Sequence, residues 1–559
     1  MKSSTKDKIL LRNVQFEGSL YKKFPKIYNV YFIAIISCIS GLMLVFDISS
    51  MSSMLGTAPY KKYFGSPDAT IQGGITASMS AGSFVGSLIS PTISEAFGRR
   101  VSLHLCATFW IIGAVIQCAS HNVAMLVCGR LISGIGVGFG SSAAPVYCSE
   151  IAPPKIRGLI GSLFQFSVTF GIMILFYIGY GCSFLDSSAS FRITWGLQMV
   201  PGFILLVCTF FIPESPRWLG NKGNWDECIN VITRINNTTK DTMTEEVALQ
   251  VEEMKQAVNE DVANSDFGYI DLFKKKTIRK TIVGMSAQMW QQLCGMNVMM
   301  YYIVYIFEMA GHTGNNTLVS CSIQYVLNVV MTIPALFLVD KVGRRPLLLI
   351  GGVLMFSWLF AVSGLLATYS IPAPDGFEGD DTVRIRIPDE NKSAADGVIA
   401  CCYLFVCSFA PTWGVGIWLY CSEIFNNKER AKGSALSTSV NWIFNFAIAL
   451  FVPSAFKNIT WKTYIVFGVF SVALTIQTYF MFPETKGKSL EEIDMMWAAN
   501  LPAWRTKSWV PDVIIPQLDV EPLEKGGSEG STEFVEGSPY NDEKPITTHF
   551  EGSSDNDSI

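Results

Sequence analysis

Twelve separate runs of roughly twenty mainly apolar residues punctuate this 559-residue chain, and no other feature so narrows what it can fold into. Six lie near 30–50, 72–93, 101–120, 123–144, 159–181 and 192–212, and six near 281–308, 318–339, 347–369, 397–421, 434–455 and 462–482. The hydrocarbon core of a bilayer is about 30 Å thick and an α-helix rises about 1.5 Å per residue, so each run is long enough to cross it. Composition points the same way: half of the residues are hydrophobic and 16% are charged, where soluble domains carry roughly 25% charge. The chain is read as an all-α membrane protein with twelve transmembrane helices.

Composition also removes whole classes of function. A net charge of −4 lacks the concentrated basic surface that binding to a phosphate backbone requires, so nucleic acid is not an expected partner. The 14 cysteines sit mostly singly inside apolar stretches, as at Cys38, Cys118 and Cys208, with no CxxC…CxxC metal spacing. Four histidines leave little for a metal or acid–base enzyme, and there is no Walker loop or GxSxG elbow. Neither catalysis nor a cofactor or metal is expected.

The runs divide the chain into five parts. Residues 1–29 are a polar, basic N-terminal segment without the apolar run and small-residue cleavage site of a signal peptide. A six-helix bundle over 30–212 is followed by a charged linker, 213–280, and a second six-helix bundle over 281–482. In the linker Val247, Val251, Met254 and Val258 recur at i, i+4, i+7 and i+11, which predicts short amphipathic helices. Over 483–559, Ser489 and Glu492 form a capping box, and Leu490, Ile493 and Trp497 share one helical face. Past about residue 505 the Ser, Gly, Glu, Asp and Pro content predicts a disordered tail.

Charge sets the expected orientation. Lys and Arg crowd the N-terminal segment and the turns after the second, fourth, eighth and tenth runs, including Arg99, Arg100, Arg157, Arg344, Arg345 and Arg430. The turn between the third and fourth runs has neither. By the positive-inside rule both termini are cytoplasmic. The sequons at Asn315, Asn391 and Asn458 then fall outside, available for glycosylation, and those at Asn236 and Asn237 inside.

The two halves repeat each other. Gly98-Arg99-Arg100 returns as Gly343-Arg344-Arg345, and Tyr147-Cys148-Ser149-Glu150-Ile151 returns letter for letter at 420–424. Phe211-Ile212-Pro213-Glu214-Ser215 is echoed by Met481-Phe482-Pro483-Glu484-Thr485. Tandem six-helix bundles are the pattern of a rocking transporter with its substrate held between them near mid-membrane.

These motifs, together with Gly129-Arg130, Pro213-Glu214-Ser215-Pro216-Arg217, Gln291-Gln292-Leu293-Cys294-Gly295-Met296-Asn297 and Pro483-Glu484-Thr485-Lys486-Gly487, carry a resemblance. The chain resembles the sugar porters of the major facilitator superfamily over about 25–500, and within them the fungal high-affinity glucose transporters. The resemblance implies a plasma-membrane hexose transporter, with glucose as substrate, that works as a monomer.

A ring of sugar hydroxyls calls for neutral groups that both give and accept hydrogen bonds, with an aromatic face for the C–H side. Gln288, Gln291, Gln292 and Gly295 form such a stripe at i, i+3, i+4 and i+7. Asn297 lies off it unless Gly295 bends the helix. Read from the residues alone, these amides are either ligands or interhelical glue worth about 0.6–2 kcal/mol each. The resemblance implies sugar ligands at Gln291, Gln292 and Asn297, and likewise at Gln165, Asn328, Trp418, Trp442 and Asn445. Two positions depart from the family: Val415 stands where proline is common, and Ala410 where mammalian relatives carry a carboxylate.

Charged residues supply two further expectations. Asp47 follows an uncharged stretch from Val30 to Phe46. A carboxylate inside a span costs about 2.5–3.5 kcal/mol, so it is expected to face a cavity and to pair, with Arg130 as partner. The resemblance implies proton coupling there, and the alternative is a permanent structural salt bridge in a facilitator. At the cytoplasmic ends, Glu95 with Arg99 or Arg100, Glu150 with Arg157, Asp340 with Arg344 or Arg345, and Glu423 with Arg430 resemble the family's gate, holding the halves together. A glucose sensor is the competing class, but the tail of about 55 residues shows no repeated motif.

Overall fold

The computed structural model describes residue 21 and residues 24–509, apart from 56, 154–155, 239–241, 264–266, 312–314, 374–375, 377–382, 427–428 and 489. The side chains of Arg157, Asn315 and Asp340 lie outside that description, as do the proposed cap at Ser489 and the tail beyond 509.

Twelve helical spans run in sequence order. The first half comprises Val30–Met54, Ala69–Phe97, Arg99–Cys118, Val123–Ile151, Arg157–Cys182, and a sixth built from Ala189–Leu197 and Met199–Cys208. In the second half the seventh span is Ile278–Leu293, Met296–Tyr301 and Ile303–Met309, followed by Asn315–Val342 and Arg344–Tyr369. The tenth is Lys392–Phe409, Ala410–Gly414 and Val415–Glu423, and the chain closes with Arg430–Ile459 and Lys462–Met481.

Ten of these are long and apolar enough to cross a membrane on composition alone. The second and seventh are the exceptions, for different reasons. The second is rich in Ser, Thr and Gly because it packs backbone to backbone against the fourth: a Cβ at Gly82 would lie 2.1 Å from the Leu131 carbonyl, and one at Gly134 2.2 Å from that of Met79. Small residues that let helices approach closely drive association in lipid, where no hydrophobic force separates protein from solvent. The seventh span, read as one run over 281–308 with a bend allowed at Gly295, is broken there and again at Tyr302. Gly295 adopts φ +96°, and Tyr302, at φ −121° and ψ 22°, interrupts the helix again. A left-handed residue cannot continue an α-helix, and glycine takes that conformation without a Cβ penalty.

The second span lies along the eleventh and the fifth along the eighth, so each half offers two helices to the other. Polar bonds cross this seam: Ser87 Oγ lies 2.8 Å from Ser439 Oγ, and Ser80 Oγ donates to Asn445 Oδ1 at 2.5 Å. The outward faces carry exposed Val85, Ile112, Phe203, Val207, Val469 and Ile476, as a lipid-facing surface requires.

Between the halves come Pro216–Asn221, Trp225–Ile235 and Glu245–Ala263, with a 3₁₀ turn at Tyr269–Phe273. Val247, Val251 and Val258 are buried there. One element departs from an all-helical reading. Ile371–Pro372 pairs antiparallel with Ile385–Arg386 in the connection between the ninth and tenth spans, where water-exposed chain is free to form a short ribbon.

Candidate functional site

Midway along the bundle a cavity opens between the halves. All eight side chains expected at a sugar site, Gln165, Gln291, Gln292, Asn297, Asn328, Trp418, Trp442 and Asn445, line it. The first half contributes mainly apolar wall, including Leu44, Ile48 and Ile172, and the second half most of the amides.

The break at Gly295 explains how one span supplies three of them. By restarting the helix at Met296 it swings Asn297 back so that its Nδ2 donates to Gln292 Oε1. The tenth span bends without the family's proline at position 415. Ala410–Gly414 forms a π-turn containing Pro411, a local break that kinks a helix. It carries the Trp413 carbonyl to Gln291 Nε2, at 3.3 Å.

One central residue escapes the sequence reading. Asn441 accepts from Gln292 Nε2 at 2.8 Å and donates to Gln291 Oε1 at 2.9 Å and Gln288 Oε1 at 2.7 Å. Four residues on, Asn445 Nδ2 donates to Gln292 Oε1 at 3.2 Å. The signal was present: Asn441 and Asn445 stand at i, i+4 in the eleventh span, one face of a helix. Gln288 does not line the cavity and serves as interhelical glue, whereas Gln291 and Gln292 do line it. Two buried acceptors, Gln165 Oε1 and Asn328 Oδ1, have no hydrogen-bond partner among the described residues. Buried amide oxygens are seldom left so, and these two offer acceptors to a polyol.

Contacts between the halves lie on both sides of the cavity. Toward one end, Ser52 Oγ meets Tyr325 Oη at 2.9 Å, and Tyr325 Oη donates to the Met300 carbonyl at 2.9 Å. Toward the other, the rings of Phe164 and Trp418 meet edge-on at 5.7 Å.

Asp47 and Arg130 are both fully buried, with Arg130 Nη2 at 2.7 Å from Asp47 Oδ2 and Nη1 at 3.1 Å from Oδ1. Arg130 also donates to the carbonyls of Ile75 at 2.8 Å and Thr76 at 3.3 Å. The expectation that Asp47 faces a cavity is corrected. It points into the first half, while its neighbours Leu44, Val45 and Ile48 form the cavity wall. Facing the fourth span gives the carboxylate a guanidinium, where the cavity would have left it half solvated.

The end bearing the Gly98 and Gly343 turns, here the basic end, carries two matching charge clusters. The expected pairs of Glu150 with Arg157 and of Asp340 with Arg344 or Arg345 fall on side chains outside the description, and the described contacts of Arg99 and Arg344 run to Glu150 and Glu423. Arg99 closes on Glu150 at 2.9 Å instead of Glu95, because Gly98, at φ +103°, breaks the helix and turns Arg99 toward the fourth span. Ser215 Oγ donates to Glu150, and Glu214 accepts the Arg99 amide at 2.9 Å. In the second half Arg344 meets Glu423 at 2.8 Å, Thr485 Oγ1 donates to Glu423 at 2.6 Å, and Glu484 accepts the Arg344 amide at 3.0 Å. Each cluster thus staples three segments of one half. Among the described residues, Glu95 pairs with Lys432 across the halves at this end, at 3.4 Å. Of the sequon residues, Asn458 is exposed near the end of the eleventh span and Asn391 is half-buried.

Gly343→Ala is expected to be costly. Its φ of +103° is strained for any side chain, and the new Cβ would lie 2.6 Å from Glu484 Oε2. We expect a loss of about 1–3 kcal/mol of stability, read as a lowered thermal unfolding midpoint in detergent. Gly364→Ala, with open space around it, should leave that midpoint unchanged or raise it.

A family model described as "Sugar (and other) transporter" matches residues 22–497. The chain belongs to this sugar transporter family. Relatives within it include a high-affinity glucose transporter of Kluyveromyces lactis, 66% identical over 99% of both chains. High-affinity glucose transporter 1 of Candida albicans is 56% identical over 88% of this chain and 90% of its own. Among solved structures, the major facilitator superfamily proton:xylose symporter XylE bound to 6-bromo-6-deoxy-D-glucose superposes with a TM-score of 0.71 at 25% identity. It covers 84% of this chain and 99% of its own. The family member is therefore a multi-pass membrane transporter with the major facilitator fold and not an enzyme.

Proposed function

We propose that this sugar transporter carries glucose across the plasma membrane by alternating access, coupled to a proton. The observation that carries the reading is the amide-lined cavity between the halves, in which Gln165 Oε1 and Asn328 Oδ1 are acceptors with no partner among the described residues. Gln291, Gln292, Asn297, Asn441 and Asn445 supply donors and acceptors for the hydroxyls, and Trp418 and Trp442 supply apolar faces. The high identity to proteins named high-affinity glucose transporters supports glucose over other sugars. A neutral site suits a carrier, since it binds without the deep well of a charged pair and lets the sugar leave.

Proton coupling rests on Asp47 and Arg130. Protonating Asp47 removes the charge that holds Arg130, and the first span, whose Leu44 and Ile48 wall the cavity, is released to move. Likeness to a proton:xylose symporter supports this. The observation that favours facilitation is that Arg130 reaches both Asp47 oxygens in full burial, as a permanent bridge would. The basic end is proposed to face the cytoplasm, with both termini there, Asn315, Asn391 and Asn458 outside, and the monomer as the working unit.

Labelled-glucose uptake into liposomes with and without an inward-acid gradient tests both parts. We expect saturable uptake, competed by unlabelled glucose, that overshoots equilibrium only with the gradient. No uptake of any hexose would end the transport reading, and uptake without overshoot would leave a facilitator.

A further inference from the structure

At the basic end the second half holds another cavity, remote from the amides. It lies between the start of the seventh span, the end of the twelfth and the segment after it, with about 840 Å³ of empty space. Arg279, Met481, Trp497, Asn500 and Trp504 are in its wall.

Three observations bear on what it takes. The first is a mainly apolar lining with a few unspent donors. The Trp497 indole nitrogen is buried with no hydrogen-bond partner among the described residues, and an indole can only donate. Arg279 is exposed, and one of its nitrogens donates to Asn500. A guanidinium has five N–H groups in a planar fork that matches a phosphate.

The second observation is charge. Lys274, Lys275 and Lys276 are exposed just before Arg279, and Arg505 and Lys507 are exposed next to the cavity's Trp504 and Thr506. Among the described residues, acids engage part of this charge. Asp271 pairs with Lys274 at 2.5 Å, and Asp494 and Glu429 both meet the buried Lys280. Lys275, Lys276, Arg279, Arg505 and Lys507 are exposed on or next to the elements that wall the cavity.

The third observation is an apolar rim at membrane level. Phe480 and Met481, the last two residues of the twelfth span, are 57% and 40% exposed, and Trp504 is 46% exposed. The Trp504 ring stacks on Tyr479 with centroids 6.0 Å apart. Tryptophan and tyrosine collect where hydrocarbon gives way to headgroups.

We propose that this cavity binds the headgroup of an anionic phospholipid from the leaflet at the basic end. Its phosphate sits against Arg279 and the Trp497 N–H, and its acyl chains run along Phe480 and Met481. Clustered Lys and Arg beside a span draw anionic lipid to that surface, and the apolar rim is what separates a lipid site from one for a soluble anion. The bound lipid bridges the seventh span, which also carries Gln291 and Gln292, and the segment containing Trp497 and Trp504. The assignment does not depend on which sugar is carried or on proton coupling.

The test is native mass spectrometry of the full-length chain released from nanodiscs of equal phosphatidylcholine and phosphatidylserine. We expect at least one phosphatidylserine retained with about fivefold or greater preference, and about threefold loss of that preference in Arg279→Gln and in Trp497→Phe. Lys62→Gln, on the connection at the opposite end, should keep it. Trp497→Phe removes the donor while keeping a ring, so it decides the matter if Arg279→Gln fails to fold. The proposal is overturned if the unaltered chain shows no preference, or if Trp497→Phe retains the full preference. It is also overturned if free inorganic phosphate displaces the bound species, which would mark a soluble-anion site.

Discussion

An Asp47→Asn variant will fail to accumulate glucose against a gradient, while exchange of labelled for unlabelled sugar continues. The change keeps the shape of the side chain and removes both its charge and its ability to cycle a proton. Each pH unit across the membrane is worth about 1.4 kcal/mol per proton, or tenfold in the sugar ratio. A one-proton symporter given a gradient of about two units therefore accumulates up to roughly a hundredfold, and the variant stays near unity. Breaking a buried ion pair costs about 3–5 kcal/mol when the remaining charge has nothing else. Here Arg130 keeps the carbonyls of Ile75 and Thr76, at 2.8 and 3.3 Å, so we expect a folded protein. Counterflow in the same vesicles provides that control. Normal accumulation by the variant would make the pair a fixed strut and place the coupling proton on another group.

The second large effect is expected at Asn441. Its amide connects Gln288, Gln291 and Gln292 through three side-chain hydrogen bonds. Asn441→Ala leaves the two cavity glutamines free to turn away from the sugar, and it removes a group that itself lines the cavity. Loss of two well-placed bonds at about 1–1.5 kcal/mol each predicts a fall of roughly 30- to 150-fold in uptake at low glucose. Uptake should be compared at matched amounts of protein in the membrane. A decrease of less than about threefold would mean that the amide network is packing alone and that the sugar is held elsewhere.

Much of this was legible in the chain because the forces involved are local or repeated. Apolar length decides whether a segment can cross lipid, so the spans were readable even where the second is too rich in serine and glycine to qualify on hydropathy. The recurrence of Tyr147-Cys148-Ser149-Glu150-Ile151 at 420–424 marked two like halves, and the structure gives both copies the same work, Arg99 to Glu150 and Arg344 to Glu423. The amides of the seventh span stood out because polar side chains are rare where lipid surrounds the helix. The bend that gathers Asn297 with Gln292 was written in Gly295.

Partner choice was legible for Asp47, expected beside Arg130 and found there, but not for Arg99 or Asn441. Spacing along the chain suggested Glu95 for Arg99, but a glycine at φ +103° aims the arginine at another helix, and Glu95 reaches Lys432 in the other half. Asp47 faces Arg130 and not the cavity, although its neighbours on the same helix line that cavity. Asn441 looked like any polar residue of a long span until the eleventh helix was laid beside the seventh. The sequence by itself determined which segments enter the membrane, that they form two related sets, and which residue types are available inside. Only the tertiary structure decided which of those residues meet, because a hydrogen bond or ion pair depends on direction and distance between helices far apart in the chain, and helix packing alone sets both.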